Sequence, residues 1–175
     1  MIVSVSQKSH EETVKIDDRS SFVRWATFRA AAPDLAETAA ALLYRSGEGA
    51  GLLATVPGSG PPRIHPINVG IVGDGLYAFL LDSSKRRDLD LDGRYALHAH
   101  QDPHAPDEFM VRGRAIRVDD PAIRAAVAQG WFFGVDETYH LYELLLSAAM
   151  VGSRATPDDW PPRYRVWTPA LEVTD

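Results

Sequence analysis

Residues 63–88 read RIHPINVGIVGDGLYAFLLDSSKRRD, and this stretch decides the fold. An apolar run, Arg63 to Val72, meets the turn Gly73-Asp74-Gly75. A second run, Leu76 to Leu81, follows at once, which is the grammar of paired antiparallel strands. Pro66 sits inside the first run and lacks the N–H that a ladder needs, so it marks an edge or a bulge. The stretch then ends on two serines and three cations that open a short helix. Basic residues in a first helical turn face the positive end of the helix dipole and are unfavourable there.

A phosphate resolves that conflict. If Ser83 or Ser84 caps the helix, the first turn presents free backbone N–H groups, hydroxyls and the side chains of Lys85, Arg86 and Arg87, which together suit a bound dianion. The competing reading is a solvated helix surface with Lys85–Asp88 and Arg86–Asp90 pairs, the weaker orientation for ion pairs along a helix. On the preceding strand, Arg63, His65 and Ile67 share one face unless Pro66 bulges it, a face that either meets solvent, the commoner case, or offers an anion or a polar ring edge two further partners.

Outward from this stretch, residues 50–56 (AGLLATV) form an earlier strand joined through PGSGPP, so that three strands and two tight turns make a meander. Residues 94–101 and 109–118 read as further strands and 163–169 as the last. Asp34 and Glu37 have capping-box spacing ahead of an Ala/Leu-rich body, predicting a helix over 35–46 that stops at Gly47. Asp120-Pro121 opens another over 121–129, ended by Gly130. Residues 138–151 (TYHLYELLLSAAMV) satisfy either period. Phe22, Trp25 and Phe28 outline one apolar face of an N-terminal segment. The expected fold class is mainly β (α+β): an antiparallel barrel of six or seven short strands with peripheral helices.

The totals agree with one such domain. The chain has 175 residues, is 45% hydrophobic and 24% charged, and carries a formal net charge of −6. That balance argues against a nucleic-acid partner. With no cysteine there are no disulfides, thiolate metal sites or thiol nucleophiles. No run approaches the ~18 apolar residues of a membrane span, and the first residues lack signal-peptide features, so a cytoplasmic protein without a membrane partner is expected. Asp102, His98, His100 and His104 cluster in sequence, and Glu137 and His140 have ligand spacing. With six histidines in the chain, chance explains both, and the expectation is no metal. No nucleophile elbow, P-loop or Rossmann fingerprint is present. A phosphate site without acid–base machinery points to a cofactor that carries the chemistry.

The series GLLATV, RIHPINVGIV, GLYAFLL, SSKRRDL, GRYALHA, DEFMVRGRAIRV resembles the pyridoxamine 5'-phosphate oxidase-like family of flavin-binding split barrels. The likeness spans residues ~33–118 well and the rest loosely, and it implies an N-terminal extension over 1–32 packed on a domain over 33–175. It further implies a homodimer that binds FMN and acts as an oxidoreductase on a small-molecule substrate by hydride transfer at the flavin, without naming a catalytic side chain.

By position, Arg63, His65, Pro66 and Ile67 would run past the flavin ring. Ser83, Ser84 and Lys85 would hold its phosphate, with Arg86 as helper, and Trp167 would approach from the partner subunit. The resemblance also favours a strand for 139–146. Asn68 stands where pyridoxine-phosphate oxidases carry a second basic residue, and RYRVW lacks their terminal histidine, so that substrate is not carried over. Relatives of this architecture bind the deazaflavin F420, whose polyanionic tail suits Arg86 and Arg87, or haem, for which His98 and His100 would be the ligands. A non-catalytic flavin or haem carrier and a purely structural dimer complete the alternatives.

Overall fold

A computed structural model describes residues 22–156 and 158–170. The predicted N-terminal extension therefore lies largely outside the described residues. Two helices, α1 (Trp25–Ala31) and α2 (Pro33–Leu43), precede strands β1 (Ala50–Thr55), β2 (Arg63–Asn68), β3 (Gly70–Val72) and β4 (Gly75–Leu80). Helix α3 (Ser84–Asp92), β5 (Arg94–Ala99), β6 (Glu108–Arg117), α4 (Pro121–Gln129), β7 (His140–Ser153) and β8 (Arg163–Trp167) follow. The strands form one antiparallel sheet in the order β2-β1-β5-β6-β7-β4-β3, with β8 added to β7.

The run 63–72 is therefore two strands rather than one. Its first half pairs with β1 (Pro66 opposite Leu52) and its second half with β4 (Gly70 opposite Tyr77). Only Val69 separates them, and its N–H donates to the Gly49 carbonyl at 2.9 Å. One bent segment thus belongs to both ends of the sheet and curls it into a split barrel. Hydropathy does not register this bend, because Val69 is buried like its neighbours.

The barrel interior holds alternate residues of each strand: Leu53, Leu76, Ala78, Leu97, Val111, Leu144 and Leu146 are all buried. Trp25 and Phe28 of α1 and Leu35, Ala39 and Leu43 of α2 join the same core. Phe22 precedes α1 and is partly exposed, so only two of the three predicted aromatics share the helix face. The other face of β4 packs a smaller cluster, in which Tyr77, Phe79, Val127, Trp131 and Leu141 are buried. The run Leu76–Leu80 is apolar throughout because it serves both layers.

Local chemistry explains most boundaries. Asp120 Oδ1 accepts from the N–H groups of Ala122 and Ile123 and starts α4, as its sequence implies. Helix α2 differs from expectation: Ala32 is its N-cap, Pro33 its first residue, and Asp34 lies inside the first turn without capping. It also stops at Leu43, short of the expected Ser46. The ambiguous leucine-rich segment is the 14-residue strand β7. Opposite Arg112 and Gly113 of its partner β6 the register skips Ser147, a bulge on β7. A Cβ on Gly113 would lie 1.8 Å from the Leu145 carbonyl oxygen, so only glycine fits the close approach there.

Candidate functional site

Ser83 caps α3. Its Oγ accepts from the Arg86 N–H at 3.4 Å and donates to the Leu81 carbonyl at 3.1 Å. The chain ends α3 at Gly93, whose left-handed conformation (φ 61°) lets its N–H reach the Leu89 carbonyl. The cap brings the first turn of α3 beside the edge strand β2. Lys85 Nζ donates to the Pro66 carbonyl at 2.6 Å. Proline on the edge therefore contributes an acceptor where it has no donor.

Between β2, the end of β4 and this turn lies a pocket of about 520 Å³. Pro66, Ile67 and Asn68 form one side, and Phe79 to Leu81 another. Asp82, Ser83 and Lys85 form its polar end, and Phe133 and Tyr139 an aromatic one. Four of the nine residues singled out in the sequence line it: Pro66, Ile67, Ser83 and Lys85.

The cations of the first turn divide into two kinds. Arg86 and Arg87 both meet Asp82, at 3.0 and 3.2 Å, so the pairing is Asp82–Arg86 in the favourable acid-first orientation. The Lys85–Asp88 and Arg86–Asp90 pairs of the competing solvated-helix reading do not form among the described residues. Lys85 has no carboxylate partner among the described residues, and burial pulls its pKa below the usual lysine value. An ammonium with one hydrogen bond, partly desolvated and facing a pocket, fits an anionic ligand. The Ser84 and Lys85 N–H groups, which have no intrahelical acceptor by position, lie in the same turn.

Arg63 and His65 do face the way strand alternation predicts, with buried Ile67, and that face turns under α3. Arg63 meets Asp88 at 3.2 Å, and the buried Asp88 also accepts from the Thr55 hydroxyl at 2.7 Å. Arg63 thus fastens α3 to β1 and β2. His65 Nε2 is buried without a hydrogen-bond partner. Burial, and then the charge of Lys85, hold the His65 pKa below the usual histidine value, with Asp88 opposing and Arg63 adding to the shift. Ser84 and Arg86 stand on α3 beside the pocket lining and are not part of it.

Trp167 lies elsewhere in the subunit. It pairs with Ala149, its ring sits 4.8 Å from that of Phe28, and it lines a separate cleft with Ala32, Leu35 and Arg165. His98 and His100 do not share a strand, since β5 ends at Ala99. His98 Nδ1 lies 2.6 Å from the Ala99 carbonyl, and its Nε2 lies 3.5 Å from Glu108. Among the described residues no group of three or more His, Asp or Glu side chains gathers in metal-binding geometry.

The aromatic end was not legible as part of a site. Residues 131–137 lie between a helix stop and the leucine-rich segment, and the sequence assigns them no element. The signal available was three consecutive aromatics, Trp131, Phe132 and Phe133, in a segment where polar residues are usual.

No protein-family model and no curated protein sequence matches the chain. Solved structures do. A haem-binding protein from Mycobacterium smegmatis superposes with TM-score 0.55 at 19% identity, over 74% of this chain and 57% of that one. An Agrobacterium tumefaciens protein of unknown function gives 0.56 at 21%, over 74% and 60%. A putative pyridoxamine 5'-phosphate oxidase from Listeria innocua gives 0.53 at 16%, over 66% and 95%. The chain thus spans less than two thirds of the length of the first two. The fold is the split barrel of pyridoxamine 5'-phosphate oxidase-like proteins, as the sequence resemblance implied. Among the described residues no helix is long and apolar enough to cross a membrane.

Proposed function

We propose that the protein is an FMN-binding oxidoreductase that works on a small-molecule substrate as a homodimer. The observation that carries this reading is Lys85: a partly buried ammonium at the capped start of α3, without a carboxylate partner among the described residues and opening on a pocket with an aromatic far end. A phosphate placed there meets a charge-assisted donor, a hydroxyl and first-turn N–H groups, while the apolar lining suits a ring. Bound FMN supplies hydride chemistry at its ring, and the chain supplies position and donors around it.

Asp82 bears on the choice of cofactor. It already engages Arg86 and Arg87, which leaves Lys85 as the lining cation without a carboxylate partner among the described residues, enough for a monophosphate and poorly matched to the polyanionic tail of F420. The haem-binding M. smegmatis neighbour raises a haem reading. That reading is poorly served by His98, whose Nδ1 is hydrogen-bonded to the Ala99 carbonyl and whose Nε2 lies beside Glu108, and by His100, which is exposed beyond β5.

The test is the visible absorption spectrum of the purified protein, before and after addition of FMN and desalting. Retained flavin bands at one per chain are the expected outcome. FMN that washes through entirely would refute the assignment.

A further inference from the structure

The segment between α4 and β7 is built, and the pocket gives it a use. Trp131 roots it: the indole is almost fully buried, edge-on to Phe79 at 5.0 Å, and seated on β3 so closely that a Cβ on Gly70 would come within 2.5 Å of it. Asp136 then folds the chain back. Its Oδ1 accepts from the N–H and hydroxyl of Thr138 at 2.9 and 2.5 Å, and its carbonyl accepts from Arg124 at 2.6 Å. These contacts bring Phe133 and Tyr139 ring to ring, 5.6 Å apart, at the pocket. A merely space-filling loop has no need to expose two aromatic rings to a cavity whose other end holds the Lys85 ammonium.

We propose that Phe133 and Tyr139 are the ring-positioning residues of this site. A planar heteroaromatic ring, the isoalloxazine under the reading above on which this inference rests, stacks against them. The α4–β7 segment therefore sets which ring the pocket accepts, while Ser83 and Lys85 hold the phosphate. Flat rings gain contact area and favourable quadrupole packing from such a wall at little entropic cost, because both side chains are already partly buried against Phe79 and Trp131.

The experiment separates ring from phosphate. FMN, riboflavin and inorganic phosphate (as competitor of FMN) are titrated against the wild type, Phe133→Leu, Tyr139→Leu, Tyr139→Phe and Lys85→Ala, with thermal melts to show that each variant folds. The leucine variants should weaken FMN and riboflavin by the same factor, about five- to a hundredfold as for bases stacked on aromatic side chains, and leave phosphate competition unchanged. Tyr139→Phe should restore binding. Lys85→Ala should weaken FMN and phosphate and spare riboflavin. If FMN binds in a Lys85-dependent way and the leucine variants bind it as the wild type does, the wall is refuted while the FMN reading stands. If neither flavin binds the wild type, both are refuted.

Discussion

Strand β4 separates two regions that share a backbone and little else. On one face, Leu76, Ala78 and Leu80 enter the barrel among Leu53, Leu97, Val111 and Leu144, all aliphatic and nearly inaccessible. On the other, Tyr77 and Phe79 meet a cluster of large aromatics that ends in an open pocket. Buried polar atoms without partners concentrate on that second side and around α3: Trp131 Nε1, Arg124 NH1, His65 Nε2 and Arg86 Nε. Interiors ordinarily leave few such groups unsatisfied. The barrel interior is the part that specifies the fold, and the aromatic annex is the part that borders the pocket.

The sharpest way to break this division is to weaken each side separately. Leu144→Ala removes a fully buried side chain from the barrel and should cost about 2–5 kcal/mol of stability in urea unfolding. A loss under 1 kcal/mol would mean that the barrel core is not the stabilising layer. On the pocket side, Lys85→Ala should weaken FMN by about 1.5–3 kcal/mol, the worth of a charge-assisted hydrogen bond, and alter unfolding by no more than about 0.5 kcal/mol. Equal effects on stability and binding would erase the distinction.

The smallest effect is a pH dependence. His65 and His140 both have pKa values held below 6.5, in each case chiefly by burial. In the window from 6.5 down through those lowered values, the unfolded chain binds more protons than the native one. Stability therefore falls as pH drops through it and is fully recovered above 6.5. Thermal melts at pH 7.5 and 5.5 should show the fall, and the double variant His65→Gln, His140→Gln should flatten it. An unchanged slope in that variant would place the sensitivity elsewhere.

What could be read from the sequence followed the range of each signal. Turn residues, the Asp120 cap and the cap at Ser83, one of the two serines the sequence offers, act within a few positions and appear, whereas the Asp34–Glu37 box does not form because Pro33 starts α2 and places Asp34 inside its first turn. Strand alternation correctly set Arg63, His65 and Ile67 on one face, but could not say that the face turns under α3, because Asp88 is 25 positions from Arg63. The bend at Val69 and the bulge at Ser147 depend on what a strand meets on its far side, which no local pattern encodes. The polar end of the site was legible for the same reason as its cap. The aromatic end was not, since Phe133 and Tyr139 reach the pocket through tertiary packing of Trp131 on Gly70.

The single-residue bend between β2 and β3 has a kinetic meaning. The pocket's two long sides, Pro66–Asn68 and Phe79–Leu81, are carried by segments joined through Val69 and the tight turn before β4. Their separation is fixed by one hydrogen-bonded residue and a short covalent path, not by the packing of independent domains. Between those two sides the described residues contain no long linker, so ligand capture should follow a single bimolecular phase whose observed rate rises linearly with ligand concentration.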